Sequence, residues 1–407
     1  MKCGLLGRKL GHSYSPQIHA LLGNYSYQLF EKEPEEIGDF LKNGDFTGLN
    51  VTIPYKKEVI PFLDELSPAA ARLGAVNTIV RRDGKLIGHN TDYFGFRRLV
   101  QESGLQVAEK KVLVLGSGGA SSTAVAVLQE LGAKVTVISR SGENNYENLD
   151  RHADAAVIVN TTPVGMYPNT GKSALSLEGF PRLEGVLDAV YNPARTQILL
   201  DAERRGLAAV NGLWMLVAQA KESAEWFTGE EISDSRIAKI HHTLRLQMEN
   251  IILIGMPGCG KTAVGQQLAQ KLGKKFVDSD ESLEARVCRK ITDIIPNDGE
   301  AAFREMESET LAELGKQSGL VIATGGGCVT QPQNYPLLHQ NGTIFWLKRE
   351  LDKLPTDGRP LSQKGTLGQM YEARMPLYLR FADAAISNDG SIAETAAAIC
   401  RKLEETT

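Results

Sequence analysis

Two glycine-rich segments, each directly after a short apolar run, constrain the fold of this chain more than any other feature. Gly116-Ser117-Gly118-Gly119-Ala120 follows residues 112–115, and Gly-Met-Pro-Gly-Cys-Gly-Lys-Thr at 255–262 follows residues 251–254. Glycines between a strand and a helix let backbone N–H groups approach a phosphate at the helix N-terminus. The first pattern is typical of dinucleotide-binding redox enzymes, and the second is typical of proteins that use nucleoside triphosphates. The chain is therefore predicted to contain two nucleotide-binding α/β units.

Size and composition indicate a soluble protein of two or three domains. The chain has 407 residues, of which 42% are hydrophobic and 23% charged, and its formal net charge is -4. This charge disfavours nucleic-acid and membrane-surface partners, and no apolar run reaches the ~20 residues that span a bilayer. The five cysteines show no metal-ligand spacing, and the N-terminus does not resemble a signal peptide. We expect free thiols and a cytoplasmic location, and a homo-oligomer is left open.

Alternating strand and helix patterns predict α/β architecture with largely parallel sheets. Residues 1–95 hold short strands and polar turns, and helices in 212–240 complete this substrate-binding domain. A Rossmann-like dinucleotide domain covers 96–211, a helical linker covers 241–248, and a P-loop domain with helices flanking its sheet covers 249–407. The patterns predict strands at 49–53, 75–80, 111–115 and 134–138, and a helix at 120–131.

The residues after the predicted strand 134–138 favour one dinucleotide over the other. NAD sites commonly carry an acidic residue here, about 20 residues beyond the glycine loop, which binds a ribose hydroxyl. This chain instead has Ser139-Arg140-Ser141, and a guanidinium flanked by hydroxyls suits the 2′-phosphate of NADP. A solvent-facing arginine at a strand end is the alternative. NADP(H) is therefore the predicted cofactor of the first unit.

Polar motifs on both sides of the first glycine loop resemble those of shikimate dehydrogenase over about residues 1–240. Each motif alone also fits an ordinary turn, but together they occur in the order of that family. The motifs are His12-Ser13-Tyr14-Ser15-Pro16, Asn50-Val51-Thr52-Ile53-Pro54-Tyr55-Lys56, Gly74-Ala75-Val76-Asn77-Thr78, Gly88-His89-Asn90-Thr91-Asp92, Asn160-Thr161-Thr162-Pro163-Val164-Gly165-Met166, Asp188-Ala189-Val190-Tyr191-Asn192-Pro193 and residues 211–220.

The resemblance implies a role for each matching residue. Lys56 and Asp92 match the catalytic pair, since hydride transfer to a ring carbonyl needs a proton donor at the developing alkoxide. Which of the two is the acid stays open. By the same resemblance, the substrate carboxylate is bound by Ser13, Ser15 and Tyr191, and the ring hydroxyls by Thr52, Asn77 and Gln219. The dinucleotide is bound by Gly116, Ser117, Gly118, Gly119, Ala120, Ser139, Arg140, Ser141, Thr161, Gly212 and Met215.

The second glycine segment satisfies the whole P-loop pattern between a predicted strand and a predicted helix. Its amides are expected to surround phosphate oxygens, while Lys261 reaches the outer phosphates and Thr262 holds Mg²⁺. ATP and Mg²⁺ are therefore the predicted cofactors of the second unit. Gly258, Cys259, Gly260 and Ala263 complete the predicted nucleotide-binding set.

The motifs that follow the P-loop resemble shikimate kinase across about residues 249–407. The segment Phe276-Val277-Asp278-Ser279-Asp280 is expected to place two carboxylates on one face of a strand end. Later motifs contain Arg304, Gly325-Gly326-Gly327, Arg359 and Arg374. The family usually has a further arginine before the Arg-Pro-Leu motif, and residues 351–357 offer only Lys353 in its place.

This second resemblance also implies roles. Asp278 joins Thr262 in supporting Mg²⁺, and Asp280 binds and orients the acceptor hydroxyl. Arg304 and Arg374 clamp the substrate carboxylate, as guanidinium groups do well. Gly325, Gly326 and Gly327 let backbone amides approach the ring, and Arg359 closes onto the transferred phosphate.

Together the two resemblances predict a bifunctional enzyme of the shikimate pathway, and so of chorismate and aromatic amino acid biosynthesis. It would reduce 3-dehydroshikimate with NADPH and then phosphorylate the 3-hydroxyl of shikimate with Mg-ATP. One alternative is an NAD-using quinate/shikimate dehydrogenase. In another, one half of the chain, foremost the kinase-like one, is a ligand-binding regulatory module without turnover, against which the retained Lys56, Asp92, Lys261 and Asp280 count.

Overall fold

The computed structural model of the protein describes residues 1–11, 13–354 and 367–405. The chain forms two compact units. Unit 1 comprises Met1–Gly165, Lys172–Tyr191 and Ile198–Thr243, and unit 2 comprises Met166–Gly171, Asn192–Gln197 and Leu244–Thr407. The predicted division into 1–95, 96–211, 241–248 and 249–407 is finer than this and stays a prediction. The predicted α/β architecture is confirmed.

The first sheet of unit 1 is mixed and has the strand order β2-β1-β3-β5-β6-β4. β3–β5 and β5–β6 are antiparallel, and the other pairs are parallel. Every residue of β3 is buried, whereas β2 at the edge is mostly exposed. The strands are β1 Lys2–Gly7, β2 Ser26–Glu31, β3 Gly48–Val51, β4 Glu65–Leu66, β5 Thr78–Arg82 and β6 Lys85–His89, and the helices around them are α1 Ser15–Leu22, α2 Ile37–Asn43, α3 Pro68–Leu73 and α4 Asp92–Glu102.

The second sheet of unit 1 is parallel, with the order β11-β10-β9-β7-β8. Its central strands β9 and β10 are wholly buried, as expected for a sheet covered by helices on both faces. The predicted strands 111–115 and 134–138 are confirmed as β7 and β8. The elements are β7 Lys111–Leu115, α5 Gly119–Glu130, β8 Lys134–Ile138, β9 Val157–Asn160, β10 Gly185–Asp188, α6 Gln197–Arg204, β11 Ala208–Val210 and α7 Leu213–Thr228.

The sheet of unit 2 is also parallel and has the order β13-β14-β12-β15-β16. β12, which leads into the P-loop, is wholly buried at the centre of the order. α8, Ser235–Met248, begins in unit 1 and ends in unit 2. The other elements are β12 Asn250–Ile254, α9 Lys261–Leu272, β13 Lys275–Asp278, α10 Ser279–Val287, α11 Ile291–Lys316, β14 Leu320–Ala323, α12 Asn334–His339, β15 Gly342–Lys348, α13 Leu367–Phe381, β16 Ala384–Ser387 and α14 Ile392–Glu405. Short 3₁₀ turns occur at Pro34–Glu36, Ile60–Phe62, Leu149–His152, Cys328–Thr330 and Leu351–Lys353.

The structure differs from the sequence prediction at four places. The strand predicted at 49–53 ends at Val51, because Pro54 has no N–H to continue a ladder. The strand predicted at 75–80 begins at Thr78, since the Val76 N–H instead donates to the Lys56 carbonyl at 2.7 Å. The helix predicted at 120–131 is α5, shifted by one residue. Asp280 lies in the first turn of α10 and not at a strand end, because Asp278 caps that helix.

Across the parts of the chain that the structure describes, no helix is both long and apolar enough to cross a membrane.

Candidate active sites

Unit 1 brings Lys56 and Asp92 into direct contact. Lys56 Nζ donates to Asp92 Oδ2 at 2.5 Å. Asp92 begins α4, where the helix dipole stabilises a negative charge, and the side chains of the two residues are 28% and 14% exposed. The pair is therefore partly desolvated yet open to a ligand, and an ammonium beside a carboxylate can give a proton to a nearby oxygen.

Two residues predicted to bind ring hydroxyls lie beside this pair. Asn77 Nδ2 donates to Asp92 Oδ1 at 2.9 Å and lies 3.4 Å from Gln219 Oε1. Gln219 projects from α7, and its Nε2 donates to the Leu216 carbonyl at 2.9 Å. Thr52, the third residue of the predicted set, follows β3 directly, and its N–H donates to the Leu6 carbonyl at 3.0 Å. The structure thus gathers an amide, a second amide and the ion pair into one polar group.

The predicted carboxylate-binding hydroxyls lie at the start of α1. The Ser15 N–H donates to Ser13 Oγ at 3.2 Å, which shapes the turn before the helix. Between them, Tyr14 packs edge to face on Tyr191, with ring centroids 6.1 Å apart. Burial raises the pKa of the Tyr191 phenol, so this group stays protonated and can donate to a carboxylate.

The first glycine loop leaves its outer surface open. Gly116 has φ 107°, and a Cβ there would lie 3.1 Å from Thr161 Oγ1. A Cβ at Gly118 or Gly119 would meet no atom within 4 Å. Gly118 is the N-cap of α5 and has no side chain to cap it, so the first N–H groups of α5 remain available to an anion.

The end of β8 lies next to this loop, because the Gly116 N–H donates to the Ile138 carbonyl at 2.8 Å. Ser139 follows, and its N–H donates to the Asn144 carbonyl at 3.2 Å. Arg140 and Ser141 are exposed. Arg140 is therefore an exposed residue two positions after the strand whose last carbonyl is bonded to the glycine loop, and its role toward a ribose phosphate stays a prediction.

Gly212 and Met215, predicted near the nicotinamide, are held by close backbone packing. A Cβ at Gly212 would lie 2.1 Å from the Ala189 carbonyl oxygen, so no other residue fits at the start of α7. One turn later, the Met215 carbonyl lies 2.6 Å from the position of a Cβ on Gly95. These contacts fix the start of α7 against β10 and α4.

The P-loop of unit 2 holds its own lysine. Gly255, Gly258 and Gly260 have φ angles of 145°, 81° and 97°, which only glycine adopts readily. Lys261 begins α9, and its Nζ donates to the Gly255 carbonyl at 3.0 Å and the Met256 carbonyl at 3.1 Å. The lysine is 9% exposed. The loop therefore keeps the ammonium in place beside the expected phosphate position.

Cys259 contributes to this loop through its backbone. Its side chain is fully buried, and its carbonyl accepts a bond from Asn388 Nδ2 at 2.6 Å. Asn388 follows β16 directly. The thiol therefore packs beneath the loop while the backbone remains part of the phosphate cradle.

Thr262 and Asp278 present oxygen atoms that suit Mg²⁺. Thr262 Oγ1 donates to Asp278 Oδ2 at 3.1 Å, and Asp278 Oδ1 accepts the Asp280 N–H at 3.0 Å. Within the described residues, no group of three or more His, Cys, Asp or Glu side chains is arranged to hold a metal. Mg²⁺ commonly takes one or two protein oxygens and fills its shell with phosphate and water. The two oxygens here fit that pattern.

A cavity of about 430 Å³ joins the P-loop to the predicted acceptor-binding residues. Arg304 on α11 is 6% exposed, and a Cβ at Gly327 would lie 2.2 Å from its Nη2. Arg374 Nη1 donates to the Gly326 carbonyl at 3.2 Å. The cavity is lined by these predicted residues: Gly258, Gly260, Lys261, Thr262, Ala263, Asp278, Asp280, Arg304, Gly325, Gly326, Gly327 and Arg374.

Asp280 is an acidic group in this cavity that can accept a proton. Burial, followed by the charges of Asp278 and Glu307, raises the pKa of Asp280 to about 6. Lys261 and Arg304 oppose this rise. A carboxylate with a pKa close to the working pH is effective in general base catalysis.

The relatives of this chain identify its family. A shikimate dehydrogenase (NADP(+)) of Clostridium perfringens is 37% identical over 264 residues, covering 60% of this chain and 97% of that relative. The chain belongs to the shikimate dehydrogenase family. A model of the substrate-binding domain of shikimate dehydrogenase also matches residues 5–79.

Solved structures of this family share the fold of unit 1. A shikimate dehydrogenase from Peptoclostridium difficile is 38% identical with a TM-score of 0.55, covering 60% of this chain and 98% of that chain. A quinate dehydrogenase from Corynebacterium glutamicum in complex with NAD is 28% identical with a TM-score of 0.55, covering 60% and 98%.

The model of the shikimate kinase family matches residues 257–404. The predicted fusion of a shikimate dehydrogenase with a shikimate kinase is therefore confirmed. The chain is accordingly an enzyme with an oxidoreductase part and a phosphotransferase part.

One acidic residue of the kinase part escaped the sequence analysis. Glu307 is 1% exposed, and its Oε2 accepts a bond from Arg304 Nη1 at 2.7 Å. Its Oε1 has no hydrogen-bond partner among the described residues and, like Asp280 Oδ1, lies within 3 Å of a Cβ position on Gly325. The i, i+3 spacing from Arg304 was the available signal.

The lid of the kinase part is only partly described. Arg359, predicted to close onto the phosphate, lies outside the described residues. Lys353 is exposed and forms an ion pair with Glu350 at 2.7 Å. Arg349, which the sequence analysis passed over, follows β15, and its Nη1 lies 3.9 Å from a Cβ position on Gly260. The guanidinium of Arg349 therefore stands next to the P-loop, although not at the place in the sequence where the family usually has its further arginine.

Proposed function

We propose that unit 1 reduces 3-dehydroshikimate to shikimate with NADPH and that unit 2 phosphorylates the 3-hydroxyl of shikimate with ATP and Mg²⁺. The observation that carries this proposal is the cavity of unit 2, which joins a P-loop to Asp280 and two arginines. Such a cavity suits a small hydroxylated carboxylate. The hydroxyl of this ligand, which would accept the phosphoryl group, is the group that a dehydrogenase of this family would create.

In the reduction, NADPH supplies a hydride to the carbonyl carbon of 3-dehydroshikimate. The Lys56–Asp92 pair supplies the proton that the ring oxygen needs, and Asn77 and Gln219 orient the ring through its hydroxyls. Ser13, Ser15 and Tyr191 hold the carboxylate at the start of α1. The 2.5 Å contact between Lys56 and Asp92 supports this assignment, because an acid catalyst must be held in one place.

In the phosphorylation, Asp280 accepts the proton of the attacking hydroxyl. Arg304 and Arg374 bind the substrate carboxylate, and their contacts with Glu307 and with the Gly326 carbonyl support fixed positions for both. Lys261 neutralises the outer phosphates, where charge develops during transfer. ATP supplies the phosphoryl group, and Thr262 and Asp278 would hold its Mg²⁺.

The NADP preference rests on Arg140, which is exposed beside the glycine loop. A second candidate function, reduction by an NAD-using quinate/shikimate dehydrogenase, is favoured by the likeness to a quinate dehydrogenase solved with NAD. Arg140→Asp separates the two, because it removes the partner of the 2′-phosphate and adds repulsion. We expect the ratio of kcat/KM for NADPH over NADH to fall about 10- to 100-fold. An unchanged ratio would contradict the role of Arg140.

The direct test is mass spectrometry of the products after the purified chain is incubated with 3-dehydroshikimate, NADPH and Mg-ATP. Shikimate 3-phosphate is the expected product. Shikimate alone would contradict the kinase half and favour a regulatory module without turnover. A chain that reduces quinate precursors with NADH in preference to 3-dehydroshikimate with NADPH would support the second candidate.

A further inference from the structure

A fully buried serine on α7 lies behind the catalytic pair of unit 1. Ser223 is 0% exposed and follows Gln219 by one helical turn. Its hydroxyl donates to the Gln219 backbone carbonyl at 2.9 Å, which uses its only proton. The Ser223 oxygen can therefore only accept bonds from its other neighbours.

The first of these neighbours is Asn50, whose amide direction is fixed from the far side. The Tyr27 hydroxyl donates to Asn50 Oδ1 at 2.8 Å. This bond turns the amide nitrogen toward α7, where Nδ2 donates to Ser223 Oγ at 2.8 Å. Burial raises the pKa of Tyr27 well above its ordinary value, so the phenol remains a donor.

The second neighbour is Thr91, whose Oγ1 lies 2.9 Å from Ser223 Oγ. Thr78 Oγ1 lies 2.8 Å from the same oxygen and can also donate to Asn77 Oδ1 at 3.2 Å. Because the proton of Ser223 is engaged with Gln219, we assign Thr91 as the donor of its bond to Ser223. The lone pairs of Thr91 then face Asn77, whose Nδ2 donates to Thr91 Oγ1 at 3.0 Å. The Thr91 N–H donates to Asn77 Oδ1 at 2.7 Å, which agrees with this direction of the amide.

The same chain of bonds ends on the catalytic pair. Asn77 uses its second Nδ2 proton on Asp92 Oδ1 at 2.9 Å, and Asp92 Oδ2 accepts from Lys56 at 2.5 Å. Without a hydroxyl at 223, the Thr91 proton is free to turn to Asn77 Oδ1, 3.2 Å away. Asn77 would then exchange its Thr91 acceptor at 3.0 Å for the longer contact with Gln219 Oε1 at 3.4 Å.

We propose that Ser223 is a positioning residue for the reduction. It directs the Thr91 hydroxyl and, through Asn77, holds the Asp92 carboxylate against Lys56. Since α7 also carries Gln219, one helix sets both a residue that contacts substrate and the orientation of the acid pair. This inference rests on the proposed function of unit 1, because Lys56 and Asp92 are the groups that act there.

The experiment compares Ser223→Ala with wild type in the full chain. We expect kcat for the reduction to fall about tenfold, while KM for 3-dehydroshikimate and Kd for NADPH change by less than about twofold. Ser223→Thr keeps a hydroxyl that can bond the i−4 carbonyl, and it restores kcat. An unchanged kcat in Ser223→Ala overturns the proposal.

Thr228→Ala is the matched control. Thr228 lies on the same helix, and its hydroxyl donates to the Ala224 carbonyl at 2.9 Å, which is the same type of bond that Ser223 makes. Its loss should leave kcat unchanged. If Thr228→Ala lowers kcat as much as Ser223→Ala, the effect belongs to the helix and the proposal fails.

A double-mutant cycle tests whether Ser223 acts on Asn77 through Thr91. Thr91→Val removes the hydroxyl at nearly constant volume, and by itself it should reproduce the loss in kcat. In that background Ser223→Ala should cause no further loss. Two losses that multiply would show that Ser223 does not act through Thr91. If Ser223→Ala lowers the yield of folded chain, an unchanged kcat in Thr91→Val would still overturn the proposal.

A measurement independent of turnover separates this inference from the proposed function. The side-chain amide protons of Asn77 should exchange with solvent about tenfold faster in Ser223→Ala than in wild type, by NMR. A chain that does not reduce 3-dehydroshikimate would refute the proposed function, and the exchange rate would then decide the hydrogen-bond path. An unchanged exchange rate refutes that path.

Discussion

Asp92 in unit 1 and Asp280 in unit 2 both lie in the first turn of a helix, yet their surroundings are opposite. Asp92 is paired with Lys56 at 2.5 Å and bonded by Asn77 at 2.9 Å. Asp280 shares its cavity with two further acids, Asp278 and Glu307, and its pKa is raised to about 6. The dehydrogenase half therefore pairs its acid directly with a cation, whereas the kinase half places its acid beside other acids whose effect Lys261 and Arg304 offset only in part.

The largest expected effect comes from removing the counter-charge in unit 1. Lys56→Ala should lower kcat for the reduction about 10²- to 10⁴-fold, because the developing oxyanion loses its proton donor. Phosphorylation of added shikimate should stay unchanged. Steady-state assays of both reactions on one preparation measure this.

Lys57→Ala is the control, because Lys57 is the next residue and is exposed. It should leave both reactions as in wild type. Loss of both reactions in folded Lys56→Ala protein would break the comparison, since the halves would then not work independently.

The second expected effect is a loss of kinase activity at low pH, which is the acid limb of the pH profile of that reaction. Since Asp280 must be ionised to accept a proton and its pKa is about 6, kcat/KM for shikimate should fall about tenfold per pH unit below pH 6. A pH series with saturating Mg-ATP measures it. A value of kcat/KM for shikimate that stays constant from pH 7 to pH 5 would show that Asp280 is not the base.

The third effect tests how much of that pKa comes from Glu307. Burial is the largest cause of the raised pKa of Asp280, and the charges of Asp278 and Glu307 come after it. Glu307→Gln should therefore move the acid limb to lower pH by less than about one unit. Glu305→Gln, an exposed change on the same helix, should leave the limb in place. An acid limb that moves to higher pH in Glu307→Gln would contradict the inference that the charge of Glu307 raises the pKa of Asp280.

The smallest effect is on stability. A carboxyl whose pKa is raised on folding stabilises the folded state below its ordinary pKa, and this contribution is lost as pH rises through about 6,. At pH 8 the ionised Asp280 is therefore destabilising. Asp280→Asn should raise the melting temperature of the kinase unit by roughly 2 to 6 °C at pH 8 and by less at pH 4.

Calorimetry of the full chain at both pH values measures this change. Glu281→Gln is the control, since Glu281 is exposed in the same helical turn. A melting temperature that falls in Asp280→Asn at pH 8 would show that Asp280 is stabilised by its neighbours, and the contrast with Asp92 would not hold.

The features predicted well from the sequence are those that depend on local pattern. β7, β8 and the P-loop follow from short apolar runs and glycine spacing, which few other folds use. The boundary at Val51 could have been read from Pro54. The boundary at Thr78 was missed because the Val76 N–H donates to the carbonyl of Lys56, a distant residue in the sequence. No local pattern describes such contacts.

The residues of the two sites also divide into those that a local pattern predicts and those that depend on distant contacts. Lys56 and Asp92 stand in recognisable motifs, and the structure places them together. Glu307 was missed because its importance comes from its burial beside Asp280. One of its carboxylate oxygens has no hydrogen-bond partner among the residues that the structure describes. Ser223 was missed because its partners Asn50 and Thr91 lie far away in the sequence. Burial and distant neighbours give these residues their chemistry.

The three consecutive glycines of the kinase cavity set its width. A side chain at Gly325 would lie 2.6 Å from Glu307, one at Gly326 would lie 2.7 Å from Pro257, and one at Gly327 would lie 2.2 Å from Arg304. Any residue larger than glycine at these positions would therefore displace Glu307, Pro257 or Arg304. A substitution in this wall should consequently change the shape of the cavity and not only its lining.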